Sequence, residues 1–441
     1  MQHASEDRPA FARAHPSKSL HGSVRAPADK SVSHRALMLG GMAAGTTEIT
    51  GLLEGDDVLA TARCVAALGA QMQRTGPGAW SVTGAEGGWR SPREALDFGN
   101  AGTGARLMLG AAAGYPVTAI FTGDASLRSR PMERIAGPLR LMGARIETLS
   151  GKLPATLHGG GLHGIDYDSP VASAQIKSAV LMAGLNAEGV TRVREPAPSR
   201  DHTEQMLAMF GAPTHMENGA VTVSGGARLQ AARIAVPGDP SSAAFLAAAA
   251  LLTEGSEITI AGVMTNPLRT ELFAMLERMG ADLAWIGGGG GGDAPADLRV
   301  RSSALRGVRV EEASIPSMID EVPILAVCAA FAEGVTRIEG LAELRVKESD
   351  RLLAVADMLR GAGAECETGE DWLEVQGKGP RGVKGGSLVE SRHDHRIAMS
   401  GLVLGLAARE PVTIDDDAMI ATSYPDFFAH MAALGADMSR A

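Results

Sequence analysis

Aromatic residues are scarce in this sequence: 4 Trp, 3 Tyr and 9 Phe make up 4% of 441 residues. A protein that holds single-stranded nucleic acid offers exposed rings for bases to stack on, and this chain has few to offer. Cations are also in deficit, with 41 Lys and Arg against 51 Asp and Glu, for a formal net charge of −10. That balance argues against DNA, RNA or an anionic membrane surface as a partner. Only three cysteines occur, Cys64, Cys328 and Cys366. They lie far apart in apolar or mixed segments, form neither a disulfide framework nor a metal-spaced set, and fit a reducing cytoplasm. His34, His202 and His395 stand alone, without the spacing of zinc ligands, so no metal site is expected. No apolar run is expected to span a membrane. The first twenty residues lack the apolar centre of a secretory signal and are expected to be a ragged, partly disordered start.

What is abundant is small and apolar: 55 Gly, much Ala, and 45% hydrophobic residues overall. That composition suits helices packed closely on sheets in a soluble globular protein. At this length one ordinary core is not enough, so two domains are expected.

The chain repeats itself. The pairs Gly69-Ala70, Gly143-Ala144, Gly211-Ala212, Gly280-Ala281, Gly363-Ala364 and Gly435-Ala436 recur every 68 to 83 residues. Each follows an apolar helical pattern such as Phe273-Ala274-Met275-Leu276, where glycine is the expected C-terminal cap. In step with them, Gly45, Pro116, Gly189, Gly255, Gly334 and Pro411 each precede a β-branched stretch that reads as a strand. The unit is helix, strand, loop, helix, Gly-Ala, strand, and it occurs six times. Pro237-Gly238-Asp239 echoes Pro27-Ala28-Asp29. The expectation is therefore α/β, with three repeats in residues 23–237 and three in 238–441, residues 1–22 joining the second domain, and hinges near Gly22 and Gly238.

Fifteen residues before each strand marker lie Lys30, Ala101, Ala174, Pro240, Ile319 and Arg396, each where the first helix of its unit begins. A repeat kept for packing alone would place similar residues at one register. The neighbours of these six positions are Ser31, Gly102, Gln175, Ser241, Asp320 and the pair Asp394-His395, so Lys, Gly, Gln, Asp and Arg share the register instead. Helix N-termini carry unpaired N–H groups and partial positive charge, so several together make an anion site that a chain of negative net charge can still possess.

Individual motifs sharpen this. Lys30-Ser31-Val32-Ser33-His34-Arg35 sets cations at a helix start and about a turn and a half on. Gly99-Asn100-Ala101-Gly102-Thr103-Gly104-Ala105-Arg106 is a glycine-rich approach to a helix expected over Leu107–Ala113. Its order is not that of a dinucleotide loop, and no P-loop occurs in the chain. Lys347-Glu348-Ser349-Asp350-Arg351 puts two cations at i, i+4, expected on one helix face, with a carboxylate able to shuttle a proton beside them. Asp320-Glu321 heads an apolar helix expected over Val322–Phe331.

These motifs, with Arg130-Pro131, Ser173-Ala174-Gln175, Arg345-Val346 before Lys347, and Asp394-His395-Arg396, resemble the 5-enolpyruvylshikimate-3-phosphate synthases of the enolpyruvyl transferase family. The likeness runs in order from about residue 20 to the C-terminus. It is closer to the bacterial branch with Ser-Ala-Gln and Ala421-Thr422-Ser423-Tyr424-Pro425. The resemblance implies two inside-out α/β barrel domains that close over the substrates, a cytoplasmic monomer, no cofactor, a role in aromatic amino acid biosynthesis, and inhibition by the herbicide glyphosate.

Carried over residue by residue, the resemblance implies that Lys30, Ser31, Arg35, Ser173, Ala174, Gln175, Arg200, Asp320 and Lys347 meet shikimate 3-phosphate. Lys30, Gly102, Arg130, Gln175, Arg351 and Arg396 would meet phosphoenolpyruvate. Asp320, Glu348 and Lys30 would carry the proton transfers and help phosphate depart. Two positions depart from the family pattern: Ala28 replaces its usual Gly, and Thr422 stands where the better-known branch has a Lys. The nearest rival is the transferase acting on UDP-N-acetylglucosamine, whose reactive cysteine would fall at Ala125. A non-catalytic anion-binding protein would have no need of both Asp320 and Glu348.

Overall fold

Helix starts and strands follow the sixfold pattern closely in the computed structural model, which describes residues 11–288 and 293–440. The leading helices are Lys30–Met42, Gly102–Ala113, Ala174–Gly184, Pro240–Leu252, Val322–Phe331 and His395–Ala407. The strands after them are Thr46–Thr50, Thr118–Thr122, Val190–Arg194, Glu257–Met264, Glu333–Ile338 and Val412–Ile414. The capping glycines of the second helices have φ between 81° and 113°, the left-handed region that glycine enters without a Cβ clash. At Gly143-Ala144 the Ala144 N–H reaches back to the Leu139 carbonyl, closing the helix end.

Each repeat builds more sheet than the sequence pattern shows. Among the described residues there are six sheets, each of four strands. In each, the strand after the leading helix pairs parallel with a short edge strand and antiparallel with a longer one. Thr118–Thr122, for example, runs parallel to Leu96–Asp97 and antiparallel to Lys152–His158. The short edge strands are only two or three residues in several sheets, below what periodicity can reveal.

The chain divides into two units: one is Ala28–Pro237, the other joins the stretch ending at Pro27 to the stretch from Gly238. The crossing falls after Pro27 rather than near Gly22, because His21–Arg25 is a strand hydrogen-bonded to Glu257–Met264. Within Ala28–Pro237 the three repeats close on themselves, since Arg233–Ala235 at the end pairs with Thr46–Thr50 at the beginning. The other unit closes through the N-terminal stretch. Ala12–Ala14 lies between Val412–Ile414 and Met438–Arg440, with Ala12 and Ala14 fully buried. Of the ragged start expected over residues 1–20, residues 1–10 lie outside the described residues, and Ala12–Ala14 is held in this sheet.

The small-residue composition has its use in the leading helices. All ten residues of Val322–Phe331 are buried, and so is every residue of Pro240–Leu252 except Leu252. Helices apolar on all sides belong in a core, and these two pack on His395–Ala407 and on each other. In the first unit Gly102–Ala113 packs on Ala174–Gly184 so closely that a Cβ on Gly110 would lie 2.3 Å from the Ala179 carbonyl oxygen. Among the described residues, one apolar stretch is nearer membrane-spanning length than expected: Glu312–Ala330 has 19 residues and a mean hydropathy of 1.4. It is broken into three short helical turns and Val322–Phe331, and 67% of it is buried inside the protein.

Candidate active site

In the unit Ala28–Pro237, three leading helices each present a candidate site residue in the first turn. Asp29 caps the first, its carboxylate accepting the Val32 N–H at 2.7 Å, and this orients Lys30 at the helix start. The Lys30 ammonium meets Asp57 at 3.0 Å, from the acidic first turn of Asp56–Ala67. Arg35, 2% exposed, donates to Thr203 Oγ1 at 2.7 Å, Ser178 Oγ at 2.8 Å and the Ser31 carbonyl at 3.0 Å. A buried guanidinium needs its donors engaged, and these fix its direction.

The second helix begins at Gly102, not Leu107, so the glycines form its first turn rather than a loop before it. Arg130 follows the short helix Ala125–Ser129 and is 4% exposed. It donates to Asn100 Oδ1 at 2.5 Å and Ser126 Oγ at 3.0 Å, and Asn100 is held in turn by Asp124 at 2.7 Å. Arg106 joins the group, donating to Gln175 Oε1 at 3.0 Å, while Gln175 donates to Thr103 Oγ1 at 3.0 Å. Gly102 stands between the two arginines: an added Cβ would lie 2.9 Å from Arg130 Nη1 and 3.3 Å from Arg106 Nη1. Ser173 caps the third helix through the Ile176 N–H, followed by Ala174 and Gln175 in the first turn.

The other unit gathers its charges on Arg351, which is 1% exposed. Its Nε donates to Asp394 at 2.7 Å, Nη1 to Asp320 at 3.1 Å and Nη2 to Glu348 at 2.5 Å. Burial works to lower the Arg351 pKa, but Asp394, Glu348 and Asp320 outweigh it and hold the guanidinium charged. Of the three carboxylates Asp394 is fully enclosed, whereas the side chains of Asp320 and Glu348 are 16% and 19% exposed. Asp320 and Glu348 are thus the two of the three that reach solvent. Lys347 Nζ lies 3.6 Å from Asp320, and Arg396 donates to the Asp320 carbonyl at 3.0 Å.

One expectation fails here. Lys347 and Arg351 do not share a helix face. Lys347 ends the turn Ala342–Val346, and Asp350 caps a new helix, Arg351–Gly361, by accepting the Leu353 N–H. The cap breaks the chain between the two cations, which meet through Asp320 instead. Asp57, Arg106 and Asp394 belong to these groups but were not singled out as site residues. The acidic pair Asp56-Asp57 after Gly55 and the end of the glycine-rich motif were the available signals. Thr422, 7% exposed, closes its own turn on the Met419 carbonyl at 2.7 Å and puts no cation where the better-known branch has one.

His34 sits near Lys30 and Arg35 within the unit Ala28–Pro237. It is fully buried, its Nδ1 is 2.8 Å from Thr61 Oγ1, and burial with Lys30 and Arg35 nearby lowers its pKa from 6.5 to about 3. The folded state therefore holds His34 neutral where the unfolded chain would protonate it. Stability should fall as pH drops from about 6.5 towards 3, by up to about 1.4 kcal/mol per pH unit from this group. Melting curves of wild type and His34→Asn across that range check it: the variant should show the shallower slope.

The two units, each with buried arginines near the starts of its leading helices, have the fold of an enolpyruvyl transferase. Across 98% of the chain the backbone superposes on the enolpyruvyl transferase NikO from Streptomyces tendae, with a TM-score of 0.77 at 19% identity and 99% of that chain covered. Residues 14–431 match the family described as EPSP synthase (3-phosphoshikimate 1-carboxyvinyltransferase), and the chain belongs to that family. The 3-phosphoshikimate 1-carboxyvinyltransferase of Afipia carboxidovorans is 56% identical over 445 residues, covering 99% of this chain and all of that one. That of Maricaulis maris is 54% identical over 428 residues, 96% of each chain. An EPSP synthase from Acinetobacter baumannii superposes with a TM-score of 0.86 at 43% identity, covering 98% of this chain and 100% of that one. The protein is accordingly an enzyme, a carboxyvinyl transferase.

Proposed function

We propose that the enzyme transfers the enolpyruvyl group of phosphoenolpyruvate to the 5-hydroxyl of shikimate 3-phosphate, releasing inorganic phosphate. The observation that carries this reading is the pair Asp320 and Glu348, two partly exposed carboxylates held on one buried guanidinium at 3.1 and 2.5 Å. Glu348 delivers a proton to the methylene carbon of phosphoenolpyruvate, which leaves C2 electrophilic. The 5-hydroxyl attacks C2 and gives its proton to Asp320. The tetrahedral adduct then returns a proton from the methyl carbon to Glu348 as the C–O bond to phosphate breaks; the proton held by Asp320 leaves with the phosphate, whose charge Lys30 balances.

Both substrates are anions, so fixed cations must offset their repulsion. Lys30, Ser31, Arg35, Ser173, Ala174, Gln175, Arg200 and Lys347 take shikimate 3-phosphate, and Lys30, Gly102, Arg130, Gln175, Arg351 and Arg396 take phosphoenolpyruvate. Each unit reads as an inside-out α/β barrel, a reading supported by three buried leading helices and three sheets in each. The chemistry leaves oxidation states unchanged and asks for no redox cofactor. We read the enzyme as a cytoplasmic monomer.

The transferase that uses UDP-N-acetylglucosamine fits less well. It calls for an activated thiol, and burial pushes the Cys64 and Cys328 thiols up to about 12, and that of Cys366 upward as well. Turnover in D2O tests the chemistry. Deuterium should enter the methylene group of the product, because a methyl group forms and is deprotonated on the way. A product methylene that stays wholly protonated would contradict protonation at carbon.

A further inference from the structure

An ion cluster on the helix Ala174–Gly184 takes no part in the chemistry above. Lys177 is 3% exposed. Its ammonium lies 3.0 Å from Glu195 Oε2 and 2.8 Å from Glu204 Oε1, and donates to the Ser199 carbonyl at 3.2 Å. Burial acts to lower the Lys177 pKa, but Glu204 and Glu195 more than reverse it, so the lysine stays protonated.

A buried ion pair is weak evidence for stability, since apolar side chains of similar volume often serve as well. What distinguishes this one is its second set of bonds. Glu195 Oε1 accepts the backbone N–H of Ser173 at 2.9 Å, and Oε2 accepts the Ser199 hydroxyl at 2.8 Å. One carboxylate thus joins two separate segments, the turn into Ala174–Gly184 and the turn before His202–Met209. The first carries Ser173, the second carries Arg200. Lys177 holds both segments too, through Glu195 and through the Ser199 carbonyl.

We infer that Lys177 and Glu195 are positioning residues that set Ser173 and Arg200 to receive the phosphate of shikimate 3-phosphate. The inference rests on the assignment of those two residues under Proposed function. Without the Glu195 carboxylate, the Ser173 N–H and the Ser199 hydroxyl lose their shared acceptor, and Lys177 is drawn to Glu204 alone. Both phosphate contacts then lose their register, and a displacement of about 1 Å at such a contact can cost about 10²-fold.

The test is calorimetric titration of shikimate 3-phosphate into the full-length protein and its Glu195→Ala, Glu195→Gln, Lys177→Met and Arg200→Ala variants. Melting curves report folding, and the KM for phosphoenolpyruvate serves as the internal comparison. Glu195→Ala should weaken shikimate 3-phosphate binding by on the order of 10- to 100-fold, with the phosphoenolpyruvate KM moving by less than about threefold. Glu195→Gln should restore part of the loss: its amide oxygen still accepts from Ser173 and Lys177 keeps Glu204, but its NH2 group meets Lys177 and the Ser199 hydroxyl where Oε2 accepted from them.

If Glu195→Ala folds and binds shikimate 3-phosphate like wild type while Arg200→Ala binds it weakly, the positioning role is overturned and the site stands. If Arg200→Ala also binds like wild type, the site assignment fails and the inference falls with it. Equal losses for both substrates would mean general loosening and would overturn it as well. Should Glu195→Ala not fold, Lys177→Met decides by the same criteria: a selective loss supports the role, and wild-type affinity ends it.

Discussion

Glu348→Gln is expected to lower kcat by on the order of 10²-fold or more while changing the KM of either substrate far less. The amide oxygen of glutamine can still accept the Arg351 Nη2 hydrogen bond that Glu348 accepts at 2.5 Å. Shape around Arg351 changes little, and the guanidinium keeps two of its three carboxylates, Asp394 at 2.7 Å and Asp320 at 3.1 Å. What glutamine lacks is a proton to deliver to the methylene carbon and a basic oxygen to take one back. Loss confined to kcat is the mark of an interaction made only in the transition state. The check is steady-state phosphate release with each substrate varied in turn. Turnover within a few-fold of wild type would remove Glu348 from the proton path, and a rise in KM with kcat preserved would recast it as a binding residue.

Gly102→Ala is expected to raise the glyphosate inhibition constant by about 10- to 200-fold while raising the phosphoenolpyruvate KM much less, the range that a single misfit group is worth. The wild-type enzyme, with glycine here, should be inhibited by glyphosate. The added methyl would stand 2.9 Å from Arg130 Nη1 and 3.3 Å from Arg106 Nη1, and 3.6 Å from Leu127 Cδ1. These are tips of long side chains, so the helix itself can accept alanine. The space beside the arginines cannot stay as it is, though, because Arg130 is tethered to Asn100 and Ser126 and has little room to withdraw. A longer mimic of phosphoenolpyruvate meets that methyl before the substrate does. Paired inhibition constants at matched phosphoenolpyruvate decide it. Equal constants for wild type and variant would show that Gly102 does not border the anion.

The repeat was legible because packing writes it at fixed intervals. Helix-ending glycines need positive φ, strands need β-branched residues, and the leading helices need small apolar ones; all three signals survive six copies. Val322–Phe331 and the start at Lys30 were therefore readable to the residue. Groups made by tertiary contact were not. Lys30 finds Asp57 27 positions away, and Arg351 finds Asp394 43 positions away. Lys177 finds Glu195 and Glu204 on segments that share no local pattern with it. The helix start at Arg351 was missed for a local reason: Asp350 serves the backbone as a cap, while i, i+4 spacing by itself suggested one continuous face. The strand Ala12–Ala14 was missed because three residues carry too little periodicity, although its partners Val412–Ile414 and Met438–Arg440 lie at the far end of the chain.

The central claim is enolpyruvyl transfer onto shikimate 3-phosphate, and an acceptor comparison tests it most directly. Phosphate release from phosphoenolpyruvate is measured with shikimate 3-phosphate and, in parallel, with UDP-N-acetylglucosamine. The account predicts rapid release of one phosphate per shikimate 3-phosphate consumed, an enolpyruvyl ether as the other product, and no release with the nucleotide sugar. Release with UDP-N-acetylglucosamine in preference to shikimate 3-phosphate, or with neither, would contradict it.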